Sequence, residues 1–168
     1  IYESFEKWLG EWVTGGRRIN RSISIDRNTI QFCTEDMLDR FSKIQYISGY
    51  IEEKKRALQE SNELEQVDHS NLVNGRRMTN IGTLRAYVEA YLSNHPMISK
   101  EMTFMVRQLA PTEHGLPLEI YVFSKDQNWV NYESIQANIF DHILAVVPEF
   151  NLRIFQDPSG LDFSKLTR

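Results

Sequence analysis

The chain has 168 residues, 41% hydrophobic, 25% charged and 11% aromatic, which excludes a disordered or low-complexity polypeptide and suits one domain or one domain with a large insertion. Its 19 basic and 23 acidic residues give a net charge of −4; this argues against nucleic acid as a partner, because neutralising phosphates takes a basic face. A single cysteine, Cys33, rules out an internal disulfide, and no run reaches the roughly 18 apolar residues that cross a bilayer.

Ile1, not methionine, opens the chain, and Tyr2, Phe5, Trp8, Leu9, Trp12 and Val13 follow before the break at Gly15-Gly16. These residues predict a piece of a longer polypeptide whose aromatic opening packs against a segment upstream. Arg17 to Asp26 then reads as a strand with one buried face. Ile19, Ile23 and Ile25 share that face with Arg21, and Arg18, Asn20, Ser22 and Ser24 take the other.

Thr34 is an expected helix cap, with Glu35 and Asp36 in a favourable first turn. Met37, Leu38, Phe41 and Ile44 follow at helical spacing. A bend is expected at Gly49, with Ile47, Tyr50, Ile51 and Leu58 carrying the stripe past it. The run Glu52-Glu53-Lys54-Lys55-Arg56 is a solvated helix face. Residues 60–80 read as a polar loop closing on Asn74-Gly75-Arg76-Arg77.

Thr83 is the expected cap of an amphipathic helix carrying Leu84, Tyr87, Val88, Tyr91 and Leu92, which ends at Asn94-His95-Pro96. Met102, Phe104 and Val106 form one alternating run and Leu118, Ile120 and Val122 a second. A loop from Pro111 to Pro117 joins them as a hairpin. Asn131 opens a long helix with Tyr132, Ile135, Ile139, Ile143, Val146 and Val147 on one side, and Pro148 stops it. Leu152 and Ile154 mark a final short strand, and regular structure is expected to end at Asp157-Pro158-Ser159-Gly160. The order predicts an α+β fold: a ferredoxin-like βαββαβ sandwich with a helical insertion in its first crossover.

Reactive chemistry is sparse. His69, His95, His114 and His142 are scattered without metal-ligand spacing. Asp141 and His142 are neighbours on a helix and point about 100° apart. Cys33 precedes a helix N-terminus, a place where a thiol pKa can fall, yet no histidine lies near it in sequence. No Gly-x-Ser-x-Gly, glycine-rich phosphate loop or framed carboxylate pair occurs. No catalytic residue, cofactor or metal is therefore expected. The turns Gly15-Gly16-Arg17-Arg18 and Gly75-Arg76-Arg77 make Arg17, Arg18, Arg76 and Arg77 candidate anion contacts by sign and loop position.

Eight strings carry a resemblance by their number and order. They are Gly15-Gly-Arg-Arg-Ile-Asn-Arg-Ser-Ile-Ser-Ile-Asp26, Val73-Asn-Gly-Arg-Arg-Met-Thr-Asn-Ile-Gly-Thr-Leu-Arg-Ala-Tyr87, Asn94-His-Pro96, Val106-Arg-Gln-Leu-Ala-Pro-Thr112, Gly115-Leu-Pro-Leu-Glu-Ile-Tyr121, the run from Trp129 to Ala145, Pro148-Glu-Phe150 and Phe155-Gln-Asp-Pro-Ser-Gly160. Together they resemble the cytoplasmic C-terminal region of the small-conductance mechanosensitive channel family, MscS, most closely its miniconductance, YbdG-like branch.

That resemblance implies a parent membrane channel, in the inner membrane, with transmembrane helices ahead of Ile1. Residues 1–16 would be the tail and linker of a preceding Sm-like β domain, 17–160 the cytoplasmic α/β domain, 27–80 a branch-specific helical insertion and 161–168 a C-terminal tail. It also implies a homo-heptamer whose cytoplasmic domains form a cage with side portals, through which ions and osmolytes leave on hypo-osmotic shock. Membrane contact would run only through the missing N-terminal region. Arg17, Arg18, Arg76 and Arg77 would then be portal candidates, since portal charge sets ion preference. A different class, a regulatory small-molecule-binding module, is motivated by the insertion and the Gly75-Arg76-Arg77 turn. An independent enzyme would have to use Cys33.

Overall fold

The computed structural model describes residues 15–166; the aromatic opening read at the N-terminus lies outside the described residues. Strand β1 runs Arg17–Ile25. Helices α1 (Glu35–Ser42) and α2 (Ser48–Leu64) follow, then α3 (Asn80–Ser93). Strands β2 (Met105–Gln108) and β3 (Leu116–Ser124) lead into α4 (Trp129–Val146), and a short α5 (Gly160–Lys165) comes last.

The fold is mixed α+β with an antiparallel three-stranded sheet in the order β1-β3-β2. The register places Ile19 opposite Val122, Ile23 opposite Leu118 and Val106 opposite Ile120. Because side chains alternate along a strand, this puts the apolar residues of all three strands on one face. Ile19, Leu118, Ile120 and Val122 are fully buried there, together with Leu84, Val88 and Leu92 of α3 and Ile139 and Ile143 of α4. Burial of each such side chain contributes on the order of 2 kcal/mol. Arg21, expected on this face, is exposed and lays its guanidinium 5.5 Å from the Phe140 ring centroid, an arrangement that keeps the charge wet and its stem packed.

The final strand expected at Leu152–Ile154 does not form as a strand. Ile154 makes one antiparallel bridge to Ile25 on the free edge of β1. Two flanking backbone bonds accompany it, Asp26 N–H to the Arg153 carbonyl (2.7 Å) and Phe155 N–H to the Ser24 carbonyl (2.8 Å). Gly115 closes the β2–β3 loop with φ +98° and lies so near the Ile25 carbonyl that a Cβ would sit 2.4 Å from its oxygen. Only glycine meets both demands there.

The region 27–80 leaves the sheet and returns to its point of departure. At its neck Phe32 bridges Thr79, the Cys33 N–H bonds the Met78 carbonyl (2.8 Å) and the Asn80 N–H bonds the Gln31 carbonyl (3.1 Å). Thr34 caps α1 as expected, accepting from the Met37 N–H at 3.2 Å. The helix break falls at Lys43–Ile47, not at Gly49, which sits inside the first turn of α2 with open space around it.

Three helix or tail boundaries also differ from expectation. Thr79, not Thr83, caps α3 by accepting from the Gly82 N–H (3.1 Å), and the Thr83 hydroxyl donates back to the Thr79 carbonyl (2.8 Å). Asn128, not Asn131, caps α4, accepting from the Asn131 N–H at 3.2 Å. The tail forms α5 under a Ser159 cap, leaving Leu161 and Phe163 exposed.

Candidate functional site

The four arginines do not converge on one turn. Arg17 and Arg18 occupy the first two positions of β1 and so point to opposite faces of the sheet. The Arg17 guanidinium lies 4.4 Å from the Tyr132 ring centroid, and that of Arg18 lies 6.0 Å from Tyr121. Both are half-buried, each held against an aromatic face.

Arg76 and Arg77 sit elsewhere, on a braced turn before α3. Gly75 has φ +73°, and a Cβ there would meet the Asn62 side chain at 2.6 Å. Buried Asn62 of α2 bonds both backbone groups of Arg76, donating to its carbonyl (3.0 Å) and accepting from its N–H (2.9 Å). Arg77 Nε donates to the Leu72 carbonyl at 3.1 Å. These bonds fix the backbone beneath the two guanidinium groups. The turn walls a cleft of about 350 Å³ between α1 and α2, into which Lys55, Arg76, Arg77 and His69 contribute polar groups.

Cys33 is half-buried with its thiol 4.0 Å from the Thr83 hydroxyl. Burial pushes the thiol pKa up and outweighs the lowering effect of the Thr83 hydrogen bond. The activated thiol considered for this position is therefore not what forms; position before a helix N-terminus is overridden by desolvation.

His95, His114 and His142 each pack against an aromatic ring. His142 places Nε2 2.7 Å from the Tyr87 hydroxyl and stacks on Tyr91, ring centroids 4.2 Å apart. Burial raises the pKa of both tyrosines. Tyr46 and Phe150 extend the same aromatic cluster. Its signal in the sequence is the i, i+4 spacing of Tyr87 and Tyr91 along one face of α3, which periodicity read only as core. His114 is exposed beside Glu113, 3.5 Å away. Among the described residues no set of three or more His, Cys, Asp or Glu side chains could hold a metal ion. No described helix is long and apolar enough to cross a membrane.

His95 gives a pH prediction. Its Nδ1 accepts from the Met97 N–H at 3.1 Å. Burial, and then the Lys100 charge, lower its pKa below the ordinary 6.5. The unfolded chain thus takes up a proton before the folded one, and stability falls as pH drops through about 6.5 towards the folded-state value. His95→Asn keeps an acceptor for the Met97 N–H without the titration. Urea unfolding across that pH range should show a flatter stability profile for the variant; equal slopes would contradict this assignment.

Of the chain, residues 79–154, a little under half of its length, match the family model described as mechanosensitive ion channel MscS, C-terminal.

Proposed function

We propose that this segment is the cytoplasmic cage, or vestibule, domain of a mechanosensitive channel that releases ions and osmolytes on hypo-osmotic shock, and that it works without catalysis. The observation carrying the proposal is how the matched region maps onto the fold. It starts at Thr79, the cap of α3, and ends at Ile154, the residue bridging to β1. Everything between is the continuous run α3-β2-β3-α4, which shares its core with β1.

The strand order supports the ferredoxin-like topology as the finer reading, with the Ile25–Ile154 bridge as a vestigial fourth strand beside β1. In this reading the parent is a homo-heptamer in the inner membrane, with this domain on the cytoplasmic side, and belongs to the YbdG-like branch. Residues 27–80 are the branch's insertion, 1–16 the end of the preceding β domain and 161–168 a tail beyond the wall. A wall of this kind needs a rigid sheet and charged openings. Arg76 and Arg77, exposed or half-exposed on a braced turn, suit a portal contact better than Arg17 and Arg18, which lie against tyrosines.

Expression of the full-length parent in cells stripped of their own tension-gated channels should raise survival of a sudden fall in external osmolarity. A correctly inserted parent that gives no protection would contradict the proposal.

A further inference from the structure

The cleft beneath the Gly75-Arg76-Arg77 turn has a consequence beyond the channel reading and independent of it. Its rim carries three permanent cations, Lys55, Arg76 and Arg77, against one carboxylate, Glu35, in a chain whose net charge is −4. Among the described residues none of these three cations is in an ion pair; the ion pairs lie at Arg107–Glu119, Glu113–His114 and Asp26–Arg153. The floor is apolar, formed by Leu38, Leu58 and Met78.

On the cationic side the turn is braced by hydrogen bonds. Asn62 clamps the Arg76 backbone from both sides, and the Leu72 carbonyl takes Arg77 Nε, leaving its terminal guanidinium nitrogens as donors. Lys55 comes from α2, so the charges converge from two elements. A guanidinium presents a planar fork matched to phosphate oxygens, and an ammonium adds a point charge. The volume of about 350 Å³ suits a small metabolite.

We propose that this cleft binds a small phosphorylated solute, with its phosphate groups on Arg76, Arg77 and Lys55 and a compact, less polar body over Leu38, Leu58 and Met78. A concave site with its cations in the walls fits a free solute better than a flat lipid surface. The site gives the 27–80 region a ligand-sensing task and supplies the regulatory-module alternative with specific residues.

The test is calorimetric titration of the 168-residue chain with ADP and with inorganic pyrophosphate at low salt. Vesicles of phosphatidylglycerol and phosphatidylcholine serve as the lipid arm. ADP should bind, and Arg76→Ala and Lys55→Glu should each weaken it roughly tenfold or more. Lys54→Ala, one residue away on α2 and outside the cleft, should leave binding unchanged. Arg76 holds the turn through its backbone, so Arg76→Ala should keep the unfolding midpoint of the parent sequence, which separates lost binding from lost folding. Absence of ADP and pyrophosphate binding at millimolar concentration overturns the proposal. So does binding to vesicles alone, or equal loss in Lys54→Ala.

Discussion

Replacing Phe41 with alanine is expected to cost about 3–5 kcal/mol of folding stability, the range for removing a buried phenylalanine side chain. Phe41 belongs to α1, inside the 27–80 region, yet it is fully buried and its ring centroid lies 5.1 Å from that of Phe150 beyond α4. Phe150 in turn meets Tyr87 of α3 at 5.6 Å. Arg40 reinforces the junction, donating to the Asn151 side chain at 2.6 Å. The 27–80 region therefore shares one hydrophobic core with the sheet-bearing part. Urea unfolding should show one cooperative transition, shifted to lower denaturant in Phe41→Ala. The double variant with Phe150→Ala should lose less than the sum of the two single losses, because the rings share a contact. A cost below about 1 kcal/mol, typical of a substitution outside the core, would mean the 27–80 region docks loosely.

Asn80→Ala is expected to be nearly as damaging, at about 3 kcal/mol. Asn80 is completely buried at the start of α3. Its Oδ1 accepts from the Gln31 N–H at 3.0 Å, and its Nδ2 donates to the carbonyls of Thr29 (2.9 Å) and Asn151 (3.3 Å). One side chain thus joins the neck of the 27–80 region, the start of the matched region and the turn after α4. Removal leaves the Gln31 N–H and the two carbonyls without their partner in a part-buried network, the expensive direction of hydrogen-bond loss. Asn80→Asp keeps the acceptor but sets a carboxylate against carbonyl oxygens. It should match or exceed the alanine loss at neutral pH and recover partly in acid, where the protonated carboxyl donates again. Thermal unfolding of both variants checks this; a near-neutral Asn80→Ala would show that water replaces the network.

The sheet was legible because its alternation is regular. Ile19, Ile23 and Ile25 on β1, and Leu118, Ile120 and Val122 on β3, could face only one way without exposing the whole set. Helix interiors were legible for the same reason, but their starts were not. Thr79 and Thr83 are both competent caps four residues apart, and only the fold decides which hydroxyl meets a free N–H and which bonds back to a carbonyl. Gly49 signalled a bend by residue type, yet its backbone is helical and ordinary. The last strand is shortened to a bridge because its pairing is read from β1's edge, which local pattern does not contain.

The arginines were found by sign and their surroundings were not. Asn62 stands 14 residues before Arg76, and Lys55 21 before it, with nothing local to connect them. Cys33 shows the same limit: helix proximity was visible, and the burial that raises the thiol pKa against the opposing hydrogen bond from Thr83, 50 positions away, was not.

The channel reading meets its sharpest test in membrane patches containing the full-length parent. Suction applied to such a patch should open discrete ionic currents whose probability rises steeply with tension. A parent that reaches the bilayer and stays electrically silent up to rupture, or one that has no bilayer-crossing segment at all, would contradict it.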